Sequence, residues 1–100
     1  NAYFYVADLS TITDIDLKSS DILVIDPPRK GLEESIIQVI LSKLPFKIAY
    51  LSCSVSTLAR DIDRINSSDV KYRIEEIRTY DFFPQTSHIE CLVFISRVNF

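Results

Sequence analysis

Short, nearly continuous apolar blocks alternate along this 100-residue chain with segments whose apolar residues recur every three or four positions. "AYFYVA", Ala2 to Ala7, is aromatic-rich and predicts a strand. "DLSTITDIDLKSSD" is a polar connection with weak helical character. "ILVID", Ile22 to Asp26, is a run of the kind buried on both faces of a parallel sheet. "PPRKG" breaks that run, and from Leu32 onward Ile36, Ile37, Val39, Ile40 and Leu44 form a helical stripe that stops before Pro45. "KIAYLS" predicts a second buried strand, and a helix starting near Ser56 or Thr57 carries Leu58, Ile62 and Ile65 on one face. "VKYRIEEIRTYDFF" alternates apolar and polar residues as a half-exposed strand does, and "HIECLVFISRV" predicts the last strand.

The order strand, strand, helix, strand, helix, strand, strand predicts an α/β layered fold with a mainly parallel sheet. No helix separates the last two strands, so one strand near the C-terminus is expected to run antiparallel. Ligands of such sheets bind beyond the carboxyl ends of the strands. Asp26 and Cys53 end two consecutive strands and are therefore expected to open onto one crevice.

Composition narrows the class without changing this picture. Hydrophobic residues make up 47% and charged residues 25%, the balance of a globular domain and not of a disordered segment. A net charge of -3 argues against a self-sufficient nucleic-acid binder but leaves room for a local basic patch or a partner domain. No apolar window reaches the roughly 18 residues of a membrane span, and no signal-peptide pattern opens the sequence. Two cysteines on distant segments fit a reducing cytoplasm better than a disulfide scaffold. The chain opens on Asn1 and contains no methionine, so it is expected to be a piece of a longer protein.

Three short stretches carry candidate chemistry. In "YLSCSVSTLARD", Cys53 ends a strand just before a helix. Most cysteines in such places fill space. A helix N-terminus, however, stabilises anions and favours the thiolate that covalent catalysis requires. In "DPPRKG", two prolines after Asp26 form a stiff turn able to hold a flat ring or a cofactor edge, or simply a strand-to-helix connection eased by Gly31. The turn also resembles the pattern of amino-group methyltransferases, an Asp or Asn followed by two prolines and an aromatic, but Arg29 occupies the aromatic position here. In "DFFPQTSHIE", His88 and Glu90 are two apart on a strand start and point the same way, as an acid–base pair or as surface charges. One histidine and two separated cysteines do not make a metal site.

In this order and at these spacings, the three stretches resemble the catalytic half of the RNA uracil-5-methyltransferases, the S-adenosylmethionine-dependent enzymes that make 5-methyluridine in tRNA and rRNA. The resemblance spans nearly the whole chain. It implies that residues 1–100 form a single partial domain, the C-terminal portion of a class I (Rossmann-like) methyltransferase catalytic domain, completed by a missing N-terminal part of the same protein. It implies Cys53 as the nucleophile at C6 of uracil and Glu90 as the base at C5. Asp26 would lie beside cofactor and base, and Asp8 near the adenine of S-adenosylmethionine. The implied partner is a tRNA or rRNA, with no membrane and no metal in this segment. Ser54 and Val55 stand where the family has Asn-Pro, and neither the glycine-rich cofactor loop nor the cysteine cluster of some members is present. The isolated chain is accordingly expected to be inactive. Two other classes stay open at this stage, an amino-directed methyltransferase and a non-catalytic interaction module.

Overall fold

A computed structural model describes residues 3–6, 18, 21–67, 69, 71–80 and 90–98. The elements are β1 (Tyr3–Val6), β2 (Ile22–Ile25), α1 (Glu34–Lys43), β3 (Lys47–Ser52), α2 (Val55–Ile65), β4 (Tyr72–Tyr80) and β5 (Glu90–Arg97). They follow the predicted order. One five-stranded sheet runs β1-β2-β3-β5-β4, with β1, β2 and β3 mutually parallel. β5 is antiparallel to both of its neighbours, β3 and β4. The predicted antiparallel strand is thus β5, inserted between β3 and β4. Most of the connection between β1 and β2 lies outside the described residues.

The register explains the core. Leu23, Ile48 and Ile95 stand side by side across β2, β3 and β5, and Ile25, Tyr50 and Val93 form the next row. All six are buried, and they pack with Ile36, Ile37 and Ile40 of α1 and Leu58 and Ile65 of α2. Both described helices therefore cover the same face of the sheet. Ile22 and Val24, on the other face of β2, are only half-buried. The two-sided burial expected for "ILVID" is not found among the described residues, because no described helix lies over that second face.

Helix ends follow local chemistry. α1 closes on Leu44 in the left-handed region (φ 50°), whose N–H donates to the Ile40 carbonyl, and Pro45 prevents another turn. α2 starts at Val55, ahead of the expected Ser56 or Thr57, because Ser54 caps it by accepting from the Thr57 N–H. β4 departs further from expectation. Apart from buried Tyr72 and half-buried Tyr80 it is exposed on both faces, with Ile74 at 47% and Ile77 at 56%. Its start is tied to the C-cap of α2 through Asn66 and Tyr72, but the rest runs along the sheet edge with both faces exposed, and a bulge between Ile74 and Glu76 interrupts its alternation. Tyr72 anchors its start by donating its hydroxyl to the Pro45 carbonyl.

The helix-side core dominates stability. Ile40 is fully buried at its centre. Ile40→Ala is expected to cost about 2–5 kcal/mol, read as a lower urea midpoint at unchanged slope.

Candidate active site

Parallel β2 and β3 deliver two of the sequence-selected residues to the same sheet edge. Ile25 stands beside Tyr50, which sets Asp26 level with Leu51 and two residues short of Cys53. The third residue arrives from the opposite direction. Ser52 pairs with Cys91 at the end of the β3/β5 ladder. One step further along that register lies Cys53 on one strand end and Glu90 on the other. An antiparallel strand inserted beside β3 is what brings Glu90 there, since a parallel one would start at the far edge. Glu90 also pairs with Tyr80 of β4. Asp26 is exposed, while Cys53 and Glu90 are half-buried. Asp8 and His88 lie outside the described residues.

The Cys53 turn is pinned on both sides. The Ser54 N–H donates to the Ser52 hydroxyl (3.0 Å), and that hydroxyl donates to the Ser54 carbonyl (2.9 Å). Ser54 then caps α2, so the thiol sits one residue outside the helix N-cap. No acidic side chain occupies the first turn of α2 to offset the positive end of the helix dipole. Ser54 and Val55, which replace Asn-Pro, therefore still make a closed turn, through two serine hydroxyls.

Behind this edge lies a network that sequence reasoning missed. Asp61 is 0% exposed. One of its carboxylate oxygens accepts from the Tyr50 hydroxyl (2.5 Å) and the Leu32 N–H (2.8 Å). The other accepts from Arg64 (3.0 Å) and Arg60 (3.4 Å). A buried carboxylate is tolerated only when so satisfied, and stripping away one partner of such a pair typically costs about 3–5 kcal/mol. Burial, reinforced by the hydrogen bond to Asp61, pushes the Tyr50 phenol far above its usual range and keeps it a donor. The two arginines also grip the loop after Asp26, Arg60 through the Lys30 carbonyl (2.5 Å) and Arg64 through the Leu32 carbonyl (2.7 Å). Arg64 further pairs with Glu34 (2.8 Å), and its guanidinium, with help from Gln38, holds that carboxyl below the usual range. A signal was present in the sequence: Asp61 falls midway between Leu58 and Ile65, on the stripe read as apolar.

Gly31 completes the fit. Its φ is +92°, and a Cβ there would come within 2.5–2.6 Å of Arg60, Thr57 and Asp61. The sole glycine of the chain is thus consumed by helix–loop packing. An exposed Asp26 carboxylate suits a hydrogen bond to a hydroxyl or amine of a bound cofactor, but no glycine here is free to cradle one. A groove of about 310 Å³ between α1 and α2 includes none of Asp26, Cys53 or Glu90 in its lining, and its arginines are already engaged. No group of three or more metal-ligating side chains occurs among the described residues, and no described helix is long and apolar enough to cross a membrane.

Two outcomes follow from these contacts. Gly31→Ala combines a left-handed backbone with a filled contact and is expected to cost at least about 2 kcal/mol in a urea titration. The two free thiols should also separate cleanly. Cys53 is half-exposed, whereas Cys91 is buried, and burial pushes its thiol above the ordinary value of 9.0. A raised folded-state value means the neutral thiol's contribution is complete below the ordinary value and lost as pH rises through the raised one. At neutral pH, iodoacetamide is expected to alkylate Cys53 at least about tenfold faster than Cys91, with Cys91 reacting only at alkaline pH or on unfolding.

A model of the tRNA (uracil-5-)-methyltransferase family matches residues 1–98. An uncharacterized RNA methyltransferase of Parasynechococcus marenigrum is 45% identical over 96 residues, covering 96% of this chain and 21% of the relative. Another, of Protochlamydia amoebophila, is 45% identical over 98 residues, covering 95% and 22%. The chain thus spans about a fifth of the length of the curated relatives it matches. Among solved structures, the tRNA (uracil-54, C5)-methyltransferase of Pyrococcus abyssi, in complex with S-adenosyl-L-homocysteine, superposes with a TM-score of 0.69 at 34% identity. That match covers 81% of this chain and 19% of the Pyrococcus abyssi one. The precorrin-6y C5,15-methyltransferase of Geobacter metallireducens superposes at a TM-score of 0.52 with 14% identity over 92% of this chain and 52% of its own, a likeness of fold alone. The fold is that of class I methyltransferases, and the chain belongs to the tRNA (uracil-5-)-methyltransferase family.

Proposed function

We propose that this chain is the C-terminal catalytic portion of an enzyme that methylates C5 of a uridine in tRNA or rRNA, in the cytoplasm, through a covalent cysteine adduct. One observation carries the reading: Cys53 and Glu90 end neighbouring strands in register, with Asp26 at the same sheet edge. A nucleophile and a base must reach adjacent atoms of one ring, C6 and C5, and neighbouring strands lie about 4.7–4.9 Å apart.

Cys53 adds as thiolate to C6 of the uracil ring, and the displaced electron pair makes C5 nucleophilic. S-adenosylmethionine, when bound, supplies the methyl group that C5 takes up. Glu90 then removes the C5 proton, the electron pair restores the C5–C6 double bond, and the Cys53 thiolate leaves. Asp26 hydrogen-bonds at the boundary of cofactor and target base, and Asp8 serves the adenine side of the cofactor. The target base must leave its stack to enter such a site. The RNA, and the glycine-rich cofactor loop that this chain does not contain, make the rest of the protein an obligatory partner, so the isolated chain is inactive. Similarity to an enzyme solved with S-adenosyl-L-homocysteine supports the choice of donor.

The decisive test uses full-length protein, S-adenosylmethionine and RNA carrying 5-fluorouridine. Fluorine at C5 leaves no proton for Glu90 to remove, so the RNA should stay bound to Cys53 and be located there by mass spectrometry. No adduct from protein shown to bind both RNA and cofactor would sink the proposal. On ordinary RNA, Cys53→Ala is expected to reduce methylation by at least about a thousandfold. Glu90→Gln should slow turnover by about 10²–10⁴ while adduct accumulates.

A further inference from the structure

The chemistry assigned above uses the edge residues and leaves the buried Asp61 network without a role. That network is placed unusually for a mere stabiliser of the core. Asp61 contacts both segments whose ends form the site. Its bond from the Leu32 N–H fixes the loop that begins at Asp26. Its bond from the Tyr50 hydroxyl fixes β3 three residues before Cys53. Asp61 itself sits on α2, whose cap, Ser54, directly follows Cys53. The neighbouring Arg60 and Arg64 repeat the linkage, each bonded at once to Asp61 and to a carbonyl of the Asp26 loop.

Proline and glycine sharpen the coupling. Pro27 and Pro28 stiffen the chain between Asp26 and the clamp, and the Gly31 N–H donates to the Pro28 carbonyl (2.8 Å), closing the turn. Gly31 gives the loop the room to approach Asp61, which any side chain would deny. A displacement at Leu32 is therefore passed to Asp26 and not absorbed in between. On the other side, the paired serine bonds pass any shift of β3 or α2 to the thiol.

We propose that Asp61 is a positioning residue for the methylation reaction: its carboxylate sets the spacing between the Asp26 turn and the Cys53 turn, and so the rate at which the thiol meets its target ring. This rests on the reading of Cys53 as the nucleophile at C6. An apolar residue of similar volume would fill the space, but would leave the Tyr50 hydroxyl, the Leu32 N–H and two guanidinium groups without their shared acceptor. Small errors of placement are costly to rate, since a shift of about 1 Å at a reacting group can lose roughly a hundredfold.

The test measures the first-order rate constant of adduct formation at saturating 5-fluorouridine RNA and S-adenosylmethionine in full-length protein, together with the adduct end point and the melting temperature. Asp61→Asn keeps the shape and one acceptor oxygen but turns an amide N–H₂ toward the arginines. Its expected effect is at least about a tenfold lower rate constant well below its melting temperature, with an end point close to that of the unsubstituted protein. Tyr50→Phe, which removes a single hydroxyl, should produce a smaller fall in the same constant. An unchanged rate constant in both variants, with only the melting temperature or the end point reduced, would overturn the proposal and leave Asp61 a stabiliser of the fold. If Asp61→Asn does not fold, the Tyr50→Phe rate constant decides alone, in the same sense. Failure of the unsubstituted protein to form any adduct would instead remove the Cys53 reading on which the proposal stands.

Discussion

The carboxylate of Asp61 is the point on which the arrangement of this chain turns. A charge removed from water must have its lone pairs satisfied by donors held in place, or the fold that buries it is lost. Here the donors come from three different elements, the loop after β2, strand β3 and helix α2 itself. Hydrophobic burial is non-directional, and by itself it specifies the docking of α2 on the sheet less sharply than a set of aimed hydrogen bonds does. The buried charge supplies the direction. It makes one docking of helix and loop much better than its neighbours.

That docking matters because the proposed site lies at strand ends and not inside an element. Strand ends are placed by whatever follows them. β2 is followed by a proline-stiffened turn held by Gly31 and the arginines, and β3 by a serine turn held by the helix cap. The antiparallel β5 adds the third residue, Glu90, from the opposite direction. Three chain segments separated by tens of residues thus converge at one edge, each with its own local restraint. The apolar rows beneath hold the sheet together and leave the edge free to carry polar groups.

The element order and most boundaries were legible, since they follow from periodicity and punctuation. The stripe from Ile36 to Leu44 ended where Pro45 required, and "KIAYLS" became β3 residue for residue. The start of α2 lies earlier than its periodicity predicts because the cap is the Ser54 hydroxyl, inside a serine-rich run with several possible caps. Alternation predicts a half-buried β4, but it says nothing about whether a helix lies above the strand. Its place at the sheet edge, and the bulge after Ile74, made both of its faces wet. A carboxylate on an apolar helical face is only partly explained by its local arginine neighbours. Arg60 and Arg64 are near in sequence, but the two donors that tie Asp61 to the sheet and the loop, Tyr50 and Leu32, are 11 and 29 residues away along the chain.

The sequence by itself determined the order and type of the elements and the motifs that mark the family, because these depend on spacing between near neighbours and on residue chemistry. It also singled out Cys53, Asp26 and Glu90, since strand ends and motif positions are visible in one dimension. Only the tertiary structure decided that β5 inserts between β3 and β4, that both described helices share one face of the sheet, and that Glu90 stands at the strand end beside Cys53. These depend on which distant residues pair, and a hydrogen bond across a sheet or to a buried carboxylate carries no signature until the chain has folded around it.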